Sequence, residues 1–198
     1  MKEDVLEQVV EDFLQNQGYF TRHNLKFRPD PLHADFISKQ DSVPSDIDVI
    51  GIHPTFSGAE KVIVVSCKSW QSGFNPEGKL KELNKPASGT GKDFWKHFRE
   101  IWSPKWVEAF QKEVLATTGQ SEFTYCIAVS HLTGKLTAEE ASILWMDDPT
   151  IARNLAGCSL KFITMEEMWH SIVSTVSTTP ASSEIGRLAQ LMKAAGIS

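Results

Sequence analysis

The chain has 198 residues, which is enough for one domain with a complete hydrophobic core. Hydrophobic residues make up 41% of the chain and charged residues 23%, as in an ordinary soluble globular protein. No apolar run approaches the roughly 18 residues that span a membrane, the acidic N-terminus is not a secretory signal, and the net charge of -5 argues against a generic nucleic-acid binder.

Periodicity and turn residues predict the elements of the first half of the chain: a helix over 3–17 stopped by Gly18, a strand over 19–27, a loop over 28–44, strands over 45–52 and 61–68, and a mobile loop over 71–91. The two later strands are β-branched and apolar, and a turn region joins them. They are therefore expected to pair as an antiparallel hairpin.

The second half is predicted to contain helices over 92–102 and 103–117, a strand over 123–130, a helix over 137–145, a strand over 159–164, a helix over 165–176, a linker over 177–183 and a last helix over 184–195 closed by Gly196. The order α-β-β-β-α-α-β-α-β-α predicts an α/β fold with a mixed sheet flanked by helices on both faces. The domain is expected to cover residues 1–176, with residues 184–198 as a separate C-terminal helix.

The C-terminal helix carries one apolar stripe, which consists of Ile185, Leu188, Leu191 and Met192. Such a stripe packs either on the domain or on a second copy of the chain. The second alternative would make the chain a homodimer.

Charge is unevenly distributed along the chain. Residues 61–112 contain ten Lys/Arg and five acids, whereas the remainder contains ten basic and twenty acidic residues. A local basic region on an acidic protein is compatible with a phosphate-binding face, and equally with a solvated loop and helix.

The hairpin carries the candidate chemistry in Asp48, Ser66 and Lys68. Residues i and i+2 of a strand face the same side, so Ser66 and Lys68 point together. If the hairpin register brings Asp48 opposite Ser66, the acid and the lysine share one pocket. A carboxylate oxygen suits Mg²⁺, and a neighbouring lysine can orient a water and offset phosphate charge.

An acid in the first hairpin strand followed by (D/E)-x-K in the next resembles the core of the PD-(D/E)xK nucleases. The Mrr-type restriction enzymes of that superfamily also begin with a helix that carries a Glu 11 residues before Gly-Tyr, as Glu7 stands before Gly18-Tyr19. The segments YCIAVSHLTG (125–134) and LKFITMEEMW (160–169) resemble the family's last two strands. The resemblance covers about residues 5–172 and implies a restriction-endonuclease-like fold.

The resemblance implies a metal-dependent endonuclease or related phosphodiesterase that acts on DNA in restriction or repair. Asp48 would be the central ligand of Mg²⁺ or Mn²⁺, Lys68 the catalytic lysine, and Glu7 an accessory ligand or the group that orients a metal-bound water. Ser66 departs from the family, which usually has an acid there, and a hydroxyl is a poorer ligand for a hard cation. Compensation would come from Glu7 or Asp46; otherwise the chain is a lapsed nucleic-acid-binding or interaction module.

Each residue also has a plainer interpretation when it is taken alone. An Asp-x-Asp in a strand is often a turn feature, a lysine that ends an apolar strand is often an exposed edge residue, and Glu7 resembles any solvated acid of a helix. Jointly the balance changes, because a lysine near the centre of a sheet is costly without an anionic partner.

Aromatic residues at Phe94, Phe98, Trp102, Trp106 and Phe110 recur every four positions, which favours a buried helix face. Trp70 is expected either to line the pocket or to pack under the loop 71–91. The residues predicted to contact DNA phosphates are Lys79, Lys81, Lys85, Lys92, Lys96 and Arg99, with Lys105 also on the solvent side.

The three cysteines, Cys67, Cys126 and Cys158, lie in apolar runs without metal-ligand spacing. This predicts reduced core residues of a cytoplasmic protein. The six histidines also lack ligand spacing and are expected to be structural or surface residues.

Overall fold

A computed structural model describes residues 4–85, 94–176, 181 and 183–197. The α-helices are α1 (Val5–Asn16), α2 (Ser38–Asp41), α3 (Pro76–Leu83), α4 (Arg99–Trp102), α5 (Pro104–Thr118), α6 (Ala138–Met146), α7 (Pro149–Asn154), α8 (Met165–Thr175) and α9 (Glu184–Ala194). The strands are β1 (Phe20–Phe27), β2 (Ser45–Ile52), β3 (Val62–Lys68), β4 (Thr124–Val129) and β5 (Ser159–Thr164), with 3₁₀ turns at Gly58–Lys61 and Phe94–Phe98.

The strands form one five-stranded mixed sheet in the order β1-β2-β3-β4-β5. The pairs β1–β2 and β2–β3 are antiparallel, whereas β3–β4 and β4–β5 are parallel. The predicted mixed sheet of about five strands with flanking helices is therefore confirmed. Strand β3 lies at its centre, as its continuous apolar run indicates.

Two hydrophobic cores cover the two faces of the sheet. The front core lies under α3 to α7 and is rich in aromatic side chains, including Phe74, Phe98, Trp106, Phe110, Tyr125, Trp145 and Phe162. The back core lies under α1, α8 and α9 and is mainly aliphatic, with Leu6, Val9, Val49, Val65, Cys126, Ala128 and Ile172 among its members. The predicted burial of the aromatic stripe is confirmed, since Phe98, Trp106 and Phe110 are buried and Phe94 and Trp102 pack against them.

Local signals explain several helix ends. Thr137 and Glu140 form a reciprocal capping box at the start of α6, with bonds of 3.2 and 2.8 Å. Pro104 stands at the first position of α5, as predicted. Gly18 ends α1 with a positive φ of 91°, and His53 packs so closely there that a Cβ would lie 2.8 Å from its Nε2.

The predicted loop over 71–91 is wrong for Pro76–Leu83, which forms α3. Asn75 caps this helix by accepting from the Gly78 amide at 2.9 Å, Pro76 begins it, and the buried Leu83 anchors it to the front core. Residues 86–91 lie outside the described part of the chain. The signal was an Asn-Pro start followed by apolar positions, which the surrounding Gly and Lys residues obscured.

Smaller corrections apply elsewhere. The predicted helix over 92–102 is a 3₁₀ turn at Phe94–Phe98 followed by α4, and its first two residues are outside the described chain. The loop over 28–44 contains the single turn α2, and α7 was not predicted.

The C-terminal helix α9 packs on the domain, against α1 and α8. Asp12 of α1 accepts hydrogen bonds from Ser183 Oγ at 2.6 Å and from the Gly186 amide at 3.1 Å. The inner face of α9 is formed by Gly186 and Ala189, whereas Leu188 and Leu191 are exposed. Of the predicted stripe, Ile185 packs against the back core, whereas Leu188 and Leu191 do not pack on the domain.

None of the described helices is long and apolar enough to cross a membrane. All three cysteines are free: Cys126 is buried in the back core, and Cys67 and Cys158 are partly buried. Burial raises the pKa of Cys126 to about 12 and that of Cys67 well above its ordinary value, so neither thiol is poised to react.

Candidate metal and phosphate site

The regular alternation of side chains along strand β2 breaks at Asp48. Ile47 packs in the front core whereas Val49 packs in the back core, although alternate residues of a regular strand share one face. Asn24, between the residues of β1 that pair with these two, has a left-handed backbone with a φ of 53°. The alternation of side chains along β2 is therefore interrupted at Asp48, and irregular strand positions of this kind often lie beside functional sites.

The Asp48 carboxylate lies in the gap between β2 and β3. The ladder of these strands ends at Val49 and Val65, and Asp48 and Ser66 are the next residues beyond it. Beyond that pair, Asp48 Oδ2 accepts a hydrogen bond from the Cys67 amide at 2.6 Å. Among the described residues, no group donates a hydrogen bond to Oδ1, which leaves one oxygen open to a ligand.

The electrostatic surroundings of Asp48 disfavour its charge. Burial raises the pKa of the carboxyl group, and the Lys68 ammonium and the Cys67 amide only partly offset that rise. The nearby carboxylates of Glu100 and Asp46 raise it further. A partly buried acid whose pKa is held above its ordinary value by desolvation and like charges is typical of a ligand-binding or catalytic group.

Ser66 and Lys68 lie on the front face of β3, on the same side as Val64. Ser66 is buried, and Lys68 is partly buried with its Nζ 4.9 Å from the centroid of the Phe98 ring. Lys68 forms no ion pair within 4.0 Å with the described carboxylates, yet it lowers the pKa of Asp48. The plainer interpretation of Lys68 as an exposed edge residue is wrong, because β3 is the central strand.

Glu100 was not predicted as a site residue. This glutamate of α4 is only 8% exposed, and its Oε1 accepts the Tyr125 hydroxyl at 2.6 Å. Burial raises the pKa of Tyr125 well above its ordinary value, and the Glu100 charge and hydrogen bond add to that rise, so the phenol stays a donor. Glu100 also acts on Asp48 electrostatically. The only sequence signal was an acid embedded between Phe98 and Ile101.

Glu7 and Asp46 are placed differently. Glu7 is partly buried on α1, which covers the back face, and its charge raises the pKa of Cys67. Asp46 pairs with Lys26 of the neighbouring strand β1. The structure thus brings Asp48, Ser66 and Lys68 together with Glu100, places Glu7 on the helix across β3, and engages Asp46 elsewhere.

The lysines expected to contact phosphates have varied surroundings. Lys79 and Lys81 lie on α3, where Lys79 pairs with Glu82 at 3.0 Å, and Lys81 and Lys85 are exposed. Lys105 is buried, which corrects its predicted solvent position: its Nζ donates to Asp41 at 2.6 Å and to the Asp35 carbonyl at 2.9 Å.

Two more of the residues predicted to contact phosphates lie in or next to the 3₁₀ turn at Phe94–Phe98. Arg99 sits over the Trp106 ring, with its Cζ 4.4 Å from the centroid. Lys96 is exposed and lies 5.9 Å from the centroid of the Trp95 ring. Lys92 lies outside the described residues.

A divalent cation needs several donor atoms around it, of which Mg²⁺ takes only some from the protein. Within the described residues, no group of three or more His, Cys, Asp or Glu side chains is placed to hold a metal ion. The site does present two carboxylates, the partly buried Asp48 and the buried Glu100, beside the Ser66 hydroxyl. Mg²⁺ is often bound through one or two carboxylates, retained waters and substrate phosphates, so the residues present fit a cation that binds together with a phosphate.

No protein-family model, curated protein or solved structure matches the chain significantly. The resemblance to the PD-(D/E)xK nucleases therefore rests on the sequence motifs described above.

Proposed function

We propose that the chain is a metal-dependent phosphodiesterase that cleaves DNA. The observation that carries the proposal is the grouping of a partly buried carboxylate, Asp48, and a buried one, Glu100, with a partly buried lysine, Lys68, on the central strand. A protein that keeps such charges in its interior without direct pairing loses stability, and binding sites are where that loss is common.

Each residue has a distinct role in the proposal. Asp48 and Glu100 would hold Mg²⁺ or Mn²⁺, with Glu100 supplying the carboxylate that Ser66 lacks. When bound, the cation lowers the pKa of a water and polarises a phosphoryl oxygen. Lys68 offsets the charge that develops on the phosphate and orients the attacking water, and Tyr125 positions Glu100 through its 2.6 Å hydrogen bond.

The accessory role of Glu7 stays a prediction. Its position on α1 places it across β3 from Ser66 and Lys68, on the side of the Cys67 thiol, whose pKa its charge raises. The proposal needs no direct metal contact from it.

A lapsed nucleic-acid-binding module is the second candidate. Ser66 in place of an acid favours it, as does the lack of a three-donor group among the described residues. This module would bind DNA in a salt-dependent manner and leave it intact.

The experiment is a cleavage assay on labelled single-stranded and duplex DNA over a Mn²⁺ titration. Lys68→Ala should slow cleavage about 10²- to 10⁴-fold, as expected for loss of a group that acts in the transition state. Glu100→Gln should raise the Mn²⁺ concentration needed for half-maximal rate by roughly tenfold, because it removes one anionic ligand.

The matched control is Lys161→Ala, which removes a partly buried strand lysine on β5, paired with Cys126 of the back core. Its cleavage rate should stay within about twofold of the native rate. DNA binding without cleavage by the native chain would support the lapsed module, and neither binding nor cleavage would refute both candidates.

A further inference from the structure

A cluster of aromatic rings lies immediately beyond Lys68, around Trp70. The Trp70 ring stacks on the buried Phe74, with centroids 5.5 Å apart and planes at 16°, which fixes its orientation. Phe94 lies 6.3 Å away and His97 5.6 Å away, each at an angle to the indole. Trp70 and Phe94 are only partly buried and His97 is exposed, so the cluster reaches the surface.

Positive charges converge on these rings. The Lys79 Nζ lies 5.2 Å from the centroid of Trp70 and 4.7 Å from that of Phe94. Burial lowers the pKa of His97, and the charges of Lys68, Lys79 and Arg99 lower it further, which shows that these cations lie close enough to act on one imidazole. The surface therefore combines ring faces with cationic charge.

The cluster is continuous with the candidate metal and phosphate site. Lys68 Nζ lies 4.9 Å from the Phe98 centroid, and Phe98 contacts Phe94 at 5.9 Å between centroids. A strand of nucleic acid with a phosphate at Lys68 would thus pass directly over the aromatic cluster.

We propose that Trp70, Phe94, His97 and Lys79 bind an unpaired nucleobase of single-stranded DNA next to the phosphate at Lys68, a proposal that rests on the proposed function. A polyanion without bases has no use for the rings, and an apolar ligand has no use for the cations. Single-stranded DNA supplies both, because its bases offer free π-faces and its backbone is anionic. In a duplex the bases are stacked on each other and are closed to Trp70.

The test separates base stacking from charge attraction. Binding of fluorescein-labelled dT₁₂ is compared with that of a 12-mer of tetrahydrofuran abasic units, which has the same charge and no bases, by anisotropy in EDTA. The native chain should bind dT₁₂ about 5- to 100-fold more tightly than the abasic 12-mer, as expected for stacking of one base. Trp70→Leu should abolish that preference and leave the affinity for the abasic 12-mer within twofold.

Trp102→Leu is the matched control, since Trp102 is a partly buried tryptophan that packs on the same front core outside the cluster. Phe94→Leu is a second test variant if Trp70→Leu fails to fold, as judged by its thermal melt. The native chain, the control and the two test variants are all measured at one salt concentration, because phosphate contacts depend on salt.

The proposal is overturned if the native chain binds the two 12-mers equally, or if Trp70→Leu and Phe94→Leu keep the preference for dT₁₂. If the preference is absent but Mn²⁺-dependent cleavage of duplex DNA persists, the base site fails and the proposed function stands. If neither oligonucleotide binds and no DNA is cleaved, both proposals fail.

Discussion

Two aspartates, the buried Asp41 and the partly buried Asp48, occupy very different surroundings. The Asp41 carboxylate accepts hydrogen bonds from Lys105 Nζ at 2.6 Å, from the Trp106 indole at 3.0 Å and from the Ile37 amide at 2.7 Å. Burial on its own would raise the pKa of Asp41, but the hydrogen bonds from Lys105, Ile37 and Trp106 outweigh it and hold the pKa below 3.8.

Among the described residues, the Asp48 carboxylate accepts one hydrogen bond, from the Cys67 amide, and the pKa of Asp48 lies above 3.8 because desolvation outweighs the Lys68 charge. Of the two carboxylates, only that of Asp41 is bound in a way that stabilises the fold. Both oxygens of Asp41 accept hydrogen bonds, and these bonds connect the segment before β2 to α5. The bond from the Cys67 amide, by contrast, engages a single oxygen of Asp48. A carboxylate kept under-satisfied in this way is available to a ligand.

The largest expected difference is in stability. Asp41→Asn should lower the free energy of unfolding by about 3–5 kcal/mol, because it leaves Lys105 buried without its anionic partner. Asp48→Asn should leave that free energy unchanged or raise it at pH 7, since the site disfavours the charged form. Urea unfolding of both variants measures the contrast, and an equal loss in the two would break it.

An acid placed at position 66 should increase the destabilising charge around Asp48. Ser66→Asp adds a third carboxylate beside Asp48 and Glu100, so the variant should melt below the native chain in EDTA. Mn²⁺ should then stabilise it by up to about 2.7 kcal/mol at a hundredfold excess over the dissociation constant, and stabilise the native chain less. Thermal melts with and without Mn²⁺ decide this, and a variant that is indifferent to Mn²⁺ would argue against a cation site here.

Asp12 is an intermediate case, with two acceptor bonds from Ser183 and Gly186 and a pKa raised by burial. Asp12→Ala should cost about 0.5–2 kcal/mol, as for the loss of a helix cap, and the loss should be local to α9. Hydrogen exchange should quicken at the amides of residues 186–194 and stay unchanged in the sheet. Uniform acceleration throughout the sheet would show that α9 is part of the global unfolding unit instead.

The pH dependence should have opposite signs at the two aspartates and is the smallest effect. The pKa of Asp41 is lowered, so its stabilisation is present above pH 3.8 and is lost as pH falls through its lower folded-state pKa. The pKa of Asp48 is raised, so the native chain loses stability as pH rises from 3.8 through its folded-state pKa.

Unfolding curves between pH 3 and 7 test both signs against the Asn variants. The deficit of Asp41→Asn should shrink below pH 3.8, and any advantage of Asp48→Asn should shrink as pH falls towards 3.8. Parallel profiles for the two variants would contradict the contrast.

Local patterns were enough to predict the sheet, the capping box of α6 and the central position of β3. The apolar run of β3 fixes its burial, and the Thr137–Glu140 spacing fixes the start of α6 without help from distant residues. The predicted hairpin is present and its ladder ends at Val49 and Val65, so the sequence was enough to predict that Asp48 lies near Ser66 and Lys68 at the end of β3.

The remaining features depend on tertiary structure. Glu100 joins the site only because α4 packs on the front face and Tyr125 of β4 meets its carboxylate. Lys105 looked like a surface lysine until Asp41, distant in sequence, was brought against it. The irregular position Asp48 lies opposite Asn24 of β1, whose backbone is left-handed. No periodicity in the sequence predicts a left-handed residue at that point.

The most direct test of the central claim is the cleavage rate of Asp48→Asn on single-stranded DNA with Mn²⁺, at equal folded concentration. The variant keeps the size and the acceptor for the Cys67 amide but loses the charge. The predicted result is a folded, DNA-binding protein whose rate falls on the order of 10³-fold, as for removal of one electrostatic contribution to a transition state. Cleavage by Asp48→Asn at the native rate would contradict the assignment of Asp48 as a metal-holding carboxylate.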